Sequence, residues 1–295
     1  MTVNDDLADS ETEAIINDPS GGFLGHLAPS EAIPHYAYFG PKQFLQIFER
    51  EHNPNRQTDH WFLLTGVTQR VFNETFLEAE SGPFSRAFAY DPFFHRLLVA
   101  TPESTTHSVA GTAFDRMVDR AAEDIGMDYE VVAMGKGYHA AEMGTKQPAM
   151  AWQPEEIGPG RDNRWPSVVL EVVVSESDPR PKLQADLRYW FRAPPLDTVR
   201  TVFILIINSR MDEIVIEKWE RTAADERPHI VQRVVLSRME TGGNVMITGS
   251  PLIIGFEHLF LRPPRTPEER DLQLNGEKLQ FIAERIWRYQ RLNSK

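Results

Sequence analysis

The stretch at residues 167–191, SVVLEVVVSESDPRPKLQADLRYWF, decides the fold prediction. Its apolar run at 168–174 has branched side chains on both alternating faces, which is typical of a strand covered on both sides. Glu171 interrupts this run with a carboxylate. After a serine-rich break, Leu183 and Leu187 recur at helical spacing. The sequence therefore predicts a buried strand followed by a helix, with a charge in the middle of the strand.

Glu171 is the first candidate functional residue. Burying an unpaired carboxylate costs several kcal/mol, so such a group must be neutralised, paired or bound to a metal ion. The structural alternative is a position on an edge strand, where the side chain of Glu171 reaches solvent or pairs with an arginine.

Lys182 is the second candidate, because it lies in the first turn of the predicted helix, where the helix dipole disfavours a positive charge. Asp186, four residues on, and Asp178, four residues back, offer a local explanation through a surface ion pair. The functional alternative combines Lys182 with Glu171. A carboxylate and an ammonium at one end of a sheet can hold a divalent metal and stabilise negative charge that develops on phosphate.

Composition limits the classes of function. The 295 residues carry a formal net charge of −12 and no cysteine, and the nine histidines lack metal-binding spacing. Such a charge disfavours a free-standing nucleic-acid binder, although a nuclease can bridge its substrate through metal ions. No stretch is long and apolar enough to span a bilayer, and the acidic N-terminus does not resemble a signal peptide. We expect a soluble protein of the cytoplasm or nucleus without membrane partners.

The order of predicted elements indicates an α/β or α+β fold, with a mixed central sheet flanked by helices. The clearest helix runs from about Thr106 to Ile125 and ends at Gly126. We divide the chain into four segments: a disordered acidic tail (1–22), an α+β extension packed on the core (23–100), the core (101–262) and a C-terminal amphipathic helix (263–295).

Four quoted segments carry a resemblance to a known family. TKQPAMAWQP, followed by RWPSVVLEVVVSES, KLQADLRYWF and VRTVFILIIN, resembles the restriction-endonuclease-like PD-(D/E)XK superfamily. The likeness is to fungal proteins related to the restriction endonuclease domain family that is widespread in bacteria. There, Pro-Asp precedes a strand of the form hydrophobic-Glu-Val, followed by Ser-x-Ser, a helix with a basic residue and an aromatic pair, and an apolar strand. The similarity covers roughly residues 85–220.

The resemblance implies a restriction-endonuclease-like core, with Mg²⁺ as the cofactor of an active member. It implies that Glu171 is a metal ligand, and that Lys182 is a catalytic lysine displaced onto the helix from its usual place two residues after the glutamate. The aspartate of Pro-Asp falls on Ala149, which cannot bind a metal. Glu142 and Glu130 are then the acids that we consider first as substitute metal ligands.

Three functions are open at this point. The first is a degenerate nuclease-fold domain with weak or lost Mg²⁺-dependent phosphodiesterase activity, and the second is an active metal-dependent nuclease with a substitute acid. The third is a non-catalytic protein-interaction module. The corresponding partners are a nucleic acid bound through a metal site, another protein, or a second copy of the chain.

Overall fold

The computed structural model describes residues 22–28, 33–53, 58–101, 104–175, 180–195, 198–208, 211–222, 225–238 and 245–293. Residues 1–21 of the tail predicted at 1–22, and the serine-rich break at 176–179, lie outside these ranges. The α-helices are α1 (Pro41–Glu51), α2 (Gln69–Val71), α3 (Thr105–Glu123), α4 (Arg180–Arg192), α5 (Phe256–Phe260) and α6 (Gly276–Asn293). A π-helical segment, Phe72–Leu77, continues α2, and 3₁₀ turns occur at Pro83–Arg86 and Asp128–Glu130.

Two large sheets form the framework. The six-stranded sheet has the order β1 (His35–Ala37), β2 (Trp61–Thr65), β4 (Arg96–Ala100), β3 (Ala87–Asp91), β7 (Gly144–Lys146) and β6 (His139–Ala141). The seven-stranded sheet has the order β13 (Val245–Thr248), β12 (Asp225–Arg238), β11 (Glu213–Thr222), β10 (Thr201–Asn208), β9 (Val168–Ser175), β8 (Met150–Pro154) and β5 (Val131–Ala133). Strands β14 (Leu252–Ile254) and β15 (Leu272–Leu274) form a separate antiparallel pair.

The predicted strand and helix of the opening stretch are confirmed as β9 and α4. Strands β9 and β10 are parallel neighbours, with α4 between them in the chain, and the other neighbours in the seven-stranded sheet are antiparallel. Every side chain from 168 to 174 is buried, as a strand covered on both sides requires. This mixed sheet flanked by helices confirms the α+β class.

Strand β9 contributes to two different cores. Leu170 and Val172 pack in the apolar cluster that includes residues of α3 and α6, such as Phe114 and Ile286. Val169 and Val173 point to the other face and pack with α4 and the six-stranded sheet. Because residues two apart share a face, Glu171 lies on this second face.

The predicted helix at 106–125 corresponds to α3. Its N-cap is Ser104, whose hydroxyl accepts a hydrogen bond from the His107 amide at 3.1 Å. Gly126 follows the helix with φ of 69°, the left-handed conformation that glycine adopts without strain. None of the helices within the described ranges is long and apolar enough to cross a membrane.

The structure does not follow the predicted boundary between the extension (23–100) and the core segment (101–262). Strands β6 and β7 fall within the predicted core segment 101–262, yet they complete the sheet built by the extension 23–100. In the C-terminal segment 263–295, the helix begins at Gly276, and β15 precedes it. The pairing of β3 with β7 places Lys146 opposite Ala89, and so carries a charged residue of the core segment into the extension's sheet.

Candidate functional site

Glu171 belongs to a buried cluster of four charged side chains, which we call the charge cluster. Lys146 ends β7, Glu171 lies in the middle of β9, and Lys182 and Asp186 lie one turn apart on α4. Each of the four residues is at most 2% exposed. Two ammonium groups and two carboxylates therefore meet between the two sheets, and their formal charges cancel.

One lysine bridges the two acids. Lys146 Nζ lies 2.8 Å from Glu171 Oε1 and 3.0 Å from Asp186 Oδ1. Lys182 Nζ lies 2.5 Å from Asp186 Oδ2, so each Asp186 oxygen contacts one ammonium. Trp190 Nε1 also donates a hydrogen bond to Glu171 Oε1 at 2.6 Å. Helix α4 thus supplies the cluster with a cation, an anion and a neutral donor at positions four residues apart, on one helical face.

Aromatic rings enclose both ammonium groups. Lys146 Nζ lies 4.1 Å from the ring centroid of Phe88, and Lys182 Nζ lies 4.8 Å from the ring centroids of both Phe88 and Trp61. The negative face of an aromatic ring attracts a cation, which offsets part of the cost of removing these groups from water.

The two ionisable groups that the sequence singles out respond differently to burial. Burial raises the pKa of Glu171, and the nearby Lys146 ammonium opposes this effect without cancelling it. Burial alone would lower the pKa of Lys182, but the carboxylates of Asp186 and Glu171 outweigh burial and raise it. Among the described residues, Glu171 Oε2 has no hydrogen-bond partner. The cluster therefore holds Lys182 firmly in its charged form, whereas the charge of Glu171 is only partly compensated.

A further buried acid, Asp59, adjoins the cluster at the end of β9. Its carboxylate accepts hydrogen bonds from the Val174 amide at 2.9 Å and the Ser104 hydroxyl at 3.2 Å, and lies 2.7 Å from His107 Nδ1. Burial alone would raise the pKa of Asp59, but His107, the Val174 amide and the charge of Lys182 together lower it. Asp59 thus ties β9 to the start of α3 and places a third carboxylate near Lys182, in addition to Asp186 and Glu171.

The structure brings Glu171 and Lys182 into one cluster and leaves Glu142 and Glu130 outside it. Glu142 is exposed in the turn between β6 and β7, and Glu130 is exposed in the 3₁₀ turn before β5. The edge-strand alternative for Glu171 is wrong, because β9 lies between β8 and β10. The carboxylate pairs with a lysine rather than an arginine.

The predicted local partner of Lys182, Asp186, is confirmed, but the pair is buried rather than on the surface. Ala149, where the family pattern has an aspartate, lies in the apolar cluster that contains Leu170 and Val172. The residue that reaches Glu171 from the preceding strands is Lys146. No sequence motif points to Lys146, because its contact with Glu171 depends on the pairing of the two-sheet framework.

The charge cluster does not fit a resident Mg²⁺ ion. Mg²⁺ requires about six oxygen ligands in octahedral geometry and keeps several of its waters. In the cluster, ammonium groups contact both Asp186 oxygens and one Glu171 oxygen, and the four charged residues are almost fully shielded from solvent. Throughout the described ranges, no group of three or more His, Cys, Asp or Glu side chains is arranged to hold a metal ion.

Comparisons with known proteins give a distant likeness to solved structures. No family model matches the chain, and no curated protein matches it significantly. Among solved structures, the chain is similar to a crystal structure described as a "putative nuclease belonging to DUF820" from Anabaena variabilis ATCC 29413. The sequence identity is 9% and the TM-score 0.39, over 72% of this chain and 97% of that chain.

Proposed function

We propose that this chain is a cleavage-incompetent relative of the nuclease-like proteins, acting as a non-catalytic interaction domain. The observation that carries the proposal is the position of Lys146 Nζ, within 3.0 Å of both Glu171 and Asp186. An ammonium bridging two carboxylates occupies the place that a shared metal ion would take in an active member. The formal charges of the two carboxylates are then balanced by the two lysines rather than by a metal ion.

Solvent exclusion and net charge support the same conclusion. A metal-dependent nuclease needs a site that water and phosphate can reach, whereas Glu171 and Lys182 are 1% and 2% exposed. With a net charge of −12 and no metal to bridge the repulsion, binding to a polyanion is disfavoured. The partner that these properties favour is another protein.

One observation favours a second candidate function, an active metal-dependent nuclease. Asp186 provides a second acid beside Glu171, which is what a two-carboxylate metal site needs. In this alternative, Asp186 replaces the aspartate missing at Ala149, and the lysines rearrange when metal and substrate bind. Glu142 and Glu130, the substitutes that the sequence suggested first, have no described contact with Glu171.

Calorimetric titration of Mg²⁺ and Mn²⁺ into the purified protein separates the two candidates, with plasmid DNA and RNA cleavage measured on the same samples. The matched variants are Glu171→Gln and Asp186→Asn, and the control is Glu142→Gln, which removes an exposed carboxylate. We expect no metal binding that depends on Glu171 or Asp186, and no cleavage. Titration of EDTA in the same instrument checks the metal solutions, and circular dichroism checks that each variant is folded.

Metal binding and cleavage that both disappear in Glu171→Gln and Asp186→Asn, but persist in Glu142→Gln, would overturn the proposal and establish the nuclease. Binding lost only in Glu142→Gln would instead place a metal at the surface acid that the sequence suggested. It would leave the charge cluster without a catalytic role.

A further inference from the structure

A groove opens between α3 and α6, on the side of the seven-stranded sheet that faces away from the charge cluster. Its volume is about 290 Å³, close to the lower end of the range of roughly 300–1,000 Å³ usual for small-molecule pockets. Thr105 and Thr112 of α3 and Tyr289 of α6 are polar residues of its lining. Val109 and Phe281 add apolar surface. The groove therefore combines polar groups with a small apolar patch, as ligand pockets do.

Two arginines of the groove have no acidic partner among the described contacts. The guanidinium carbon of Arg116 lies 5.6 Å from the ring centroid of Phe281, and that of Arg285 lies 5.0 Å from the same centroid. Both arginine side chains are exposed. Other arginines of this acidic chain, such as Arg120 and Arg262, pair with glutamates. The two guanidinium groups lie beside the same ring, and an anion shared between them would relieve their mutual repulsion.

The chemistry of the lining residues identifies the class of ligand. Guanidinium groups bind phosphate through paired, charge-assisted hydrogen bonds, and hydroxyl groups can donate to the remaining phosphate oxygens. The Val109 and Ala113 side chains of the lining offer an apolar surface to a planar group. A single inorganic anion would leave this apolar surface unused.

We propose that the groove between α3 and α6 binds a small phosphate monoester with a planar apolar body, whose phosphate contacts Arg116 and Arg285. This site is separate from the charge cluster and independent of the function proposed above. Neither arginine contributes to the charge cluster, so changes at the two sites can be measured separately.

The test is titration of phenyl phosphate into the full chain, followed by calorimetry and by amide chemical shifts. The groove variants are Arg116→Gln and Arg285→Gln. The matched control is Arg120→Gln, an exposed arginine one turn further along α3 that does not line the groove. We expect saturable binding that each groove variant weakens by about tenfold, and that the control leaves unchanged, because a charge-assisted pair is lost only in the groove variants.

Inorganic phosphate and phenol are the two reference probes. We expect both to bind more weakly than phenyl phosphate, because each lacks one half of the proposed ligand. Absence of saturable binding of phenyl phosphate would overturn the proposal, as would equal affinity in the two groove variants and the control. Phenol binding as tightly as phenyl phosphate would overturn the role of the phosphate, and inorganic phosphate binding as tightly would overturn the role of the apolar body.

Discussion

The two faces of strand β9 are equally buried but are built on different principles. Toward α3 and α6, Leu170 and Val172 pack in a cluster of apolar side chains. Toward α4 and the six-stranded sheet, Glu171 stands between Val169 and Val173. Its carboxylate contacts the Lys146 ammonium and the Trp190 N–H, and Lys182 and Asp186 complete the charge cluster. The first face is stabilised in proportion to the apolar area that it buries. The stability of the second face depends on whether the charges of its buried side chains balance.

The difference between the two faces explains how a charged side chain is accommodated in a strand that is buried on both sides. A carboxylate on β9 cannot be neutralised by its own strand, whose neighbours in the chain are all valine or leucine. The counter-charges come from β7 in the other sheet and from α4, and both elements pack on this face only. Removing one charged residue of the cluster leaves the remaining charges uncompensated. On the face toward α3 and α6, the loss of one aliphatic side chain leaves no uncompensated charge.

Lys182→Met should have the largest effect on stability, because it leaves two buried carboxylates with one ammonium. We expect a loss of about 3–5 kcal/mol in the free energy of unfolding, as found when one partner of a buried ion pair is removed. The raised pKa of Lys182 means that its stabilisation is fully present below pH 10.5 and is lost as the pH rises through that raised pKa. Urea unfolding at pH 7 measures the loss, and a cost below about 1 kcal/mol would contradict the charge-balance account.

The control for Lys182→Met on the apolar face is Leu170→Ala. It should cost about 2–5 kcal/mol through loss of buried area and formation of a cavity, with no dependence on pH, because no ionisable group is involved. A pH-dependent cost at Leu170 would mean that the two faces are coupled through the strand.

Asp59→Asn should cost about 1–3 kcal/mol, because the Val174 amide, the Ser104 hydroxyl and His107 lose a charged acceptor. The pKa of Asp59 is lowered in the folded state, so its stabilisation is present above pH 3.8 and is lost as the pH falls through the lowered pKa. The difference in unfolding free energy between wild type and variant should therefore shrink in acid. A difference that grows as the pH falls would show that the carboxylate is not stabilised in its charged form.

Glu171→Gln should lower the free energy of unfolding by about 1–2 kcal/mol at pH 7, which is less than the loss expected for Lys182→Met. Burial already disfavours the charged form of Glu171, and the glutamine side chain can still accept the hydrogen bond from Trp190. The raised pKa fixes the sign of the pH dependence. The stability of the wild type relative to the variant should fall as the pH rises from 4.5 through the raised pKa. Urea unfolding across that range checks the slope, and a rising difference would mean that the lysines lower the pKa of Glu171 instead.

Glu142→Gln and Glu130→Gln should have the smallest effects, within about 0.5 kcal/mol of wild type, since both side chains are exposed. Thermal unfolding with and without Mn²⁺ measures stability and metal binding together. Stabilisation by Mn²⁺ that either variant abolishes would restore these residues as metal ligands.

Much of the fold could be predicted from local patterns. The apolar run at 168–174 and the helical spacing after it located β9 and α4, and the spacing from Thr106 to Ile125, with Gly126 after it, located α3. These signals each lie within one element. The sheet made by β6 and β7 with the N-terminal strands could not be predicted. These two strands are three residues each, and their pairing depends on contacts between positions far apart in the chain.

The charge cluster was also predictable only in part, because only some of its residues give a signal within one element of the sequence. Glu171 was conspicuous as a charge in an apolar run, and Lys182 with Asp186 was visible at helical spacing. Lys146 gave no signal, since nothing near it in the sequence distinguishes it from an exposed lysine. The missing acid at Ala149 could be seen, but the cation that bridges Glu171 and Asp186 could be identified only from the arrangement of the two sheets.

Lys146, rather than a metal ion, joins Glu171 and Asp186 in the charge cluster. A crystal of the protein soaked in MnCl₂, with anomalous scattering measured for manganese, shows whether a metal can replace this lysine. We expect no anomalous peak within the charge cluster and density for Lys146 Nζ between the two carboxylates. A manganese peak bound by Glu171 and Asp186, with the Lys146 side chain displaced, would contradict this expectation.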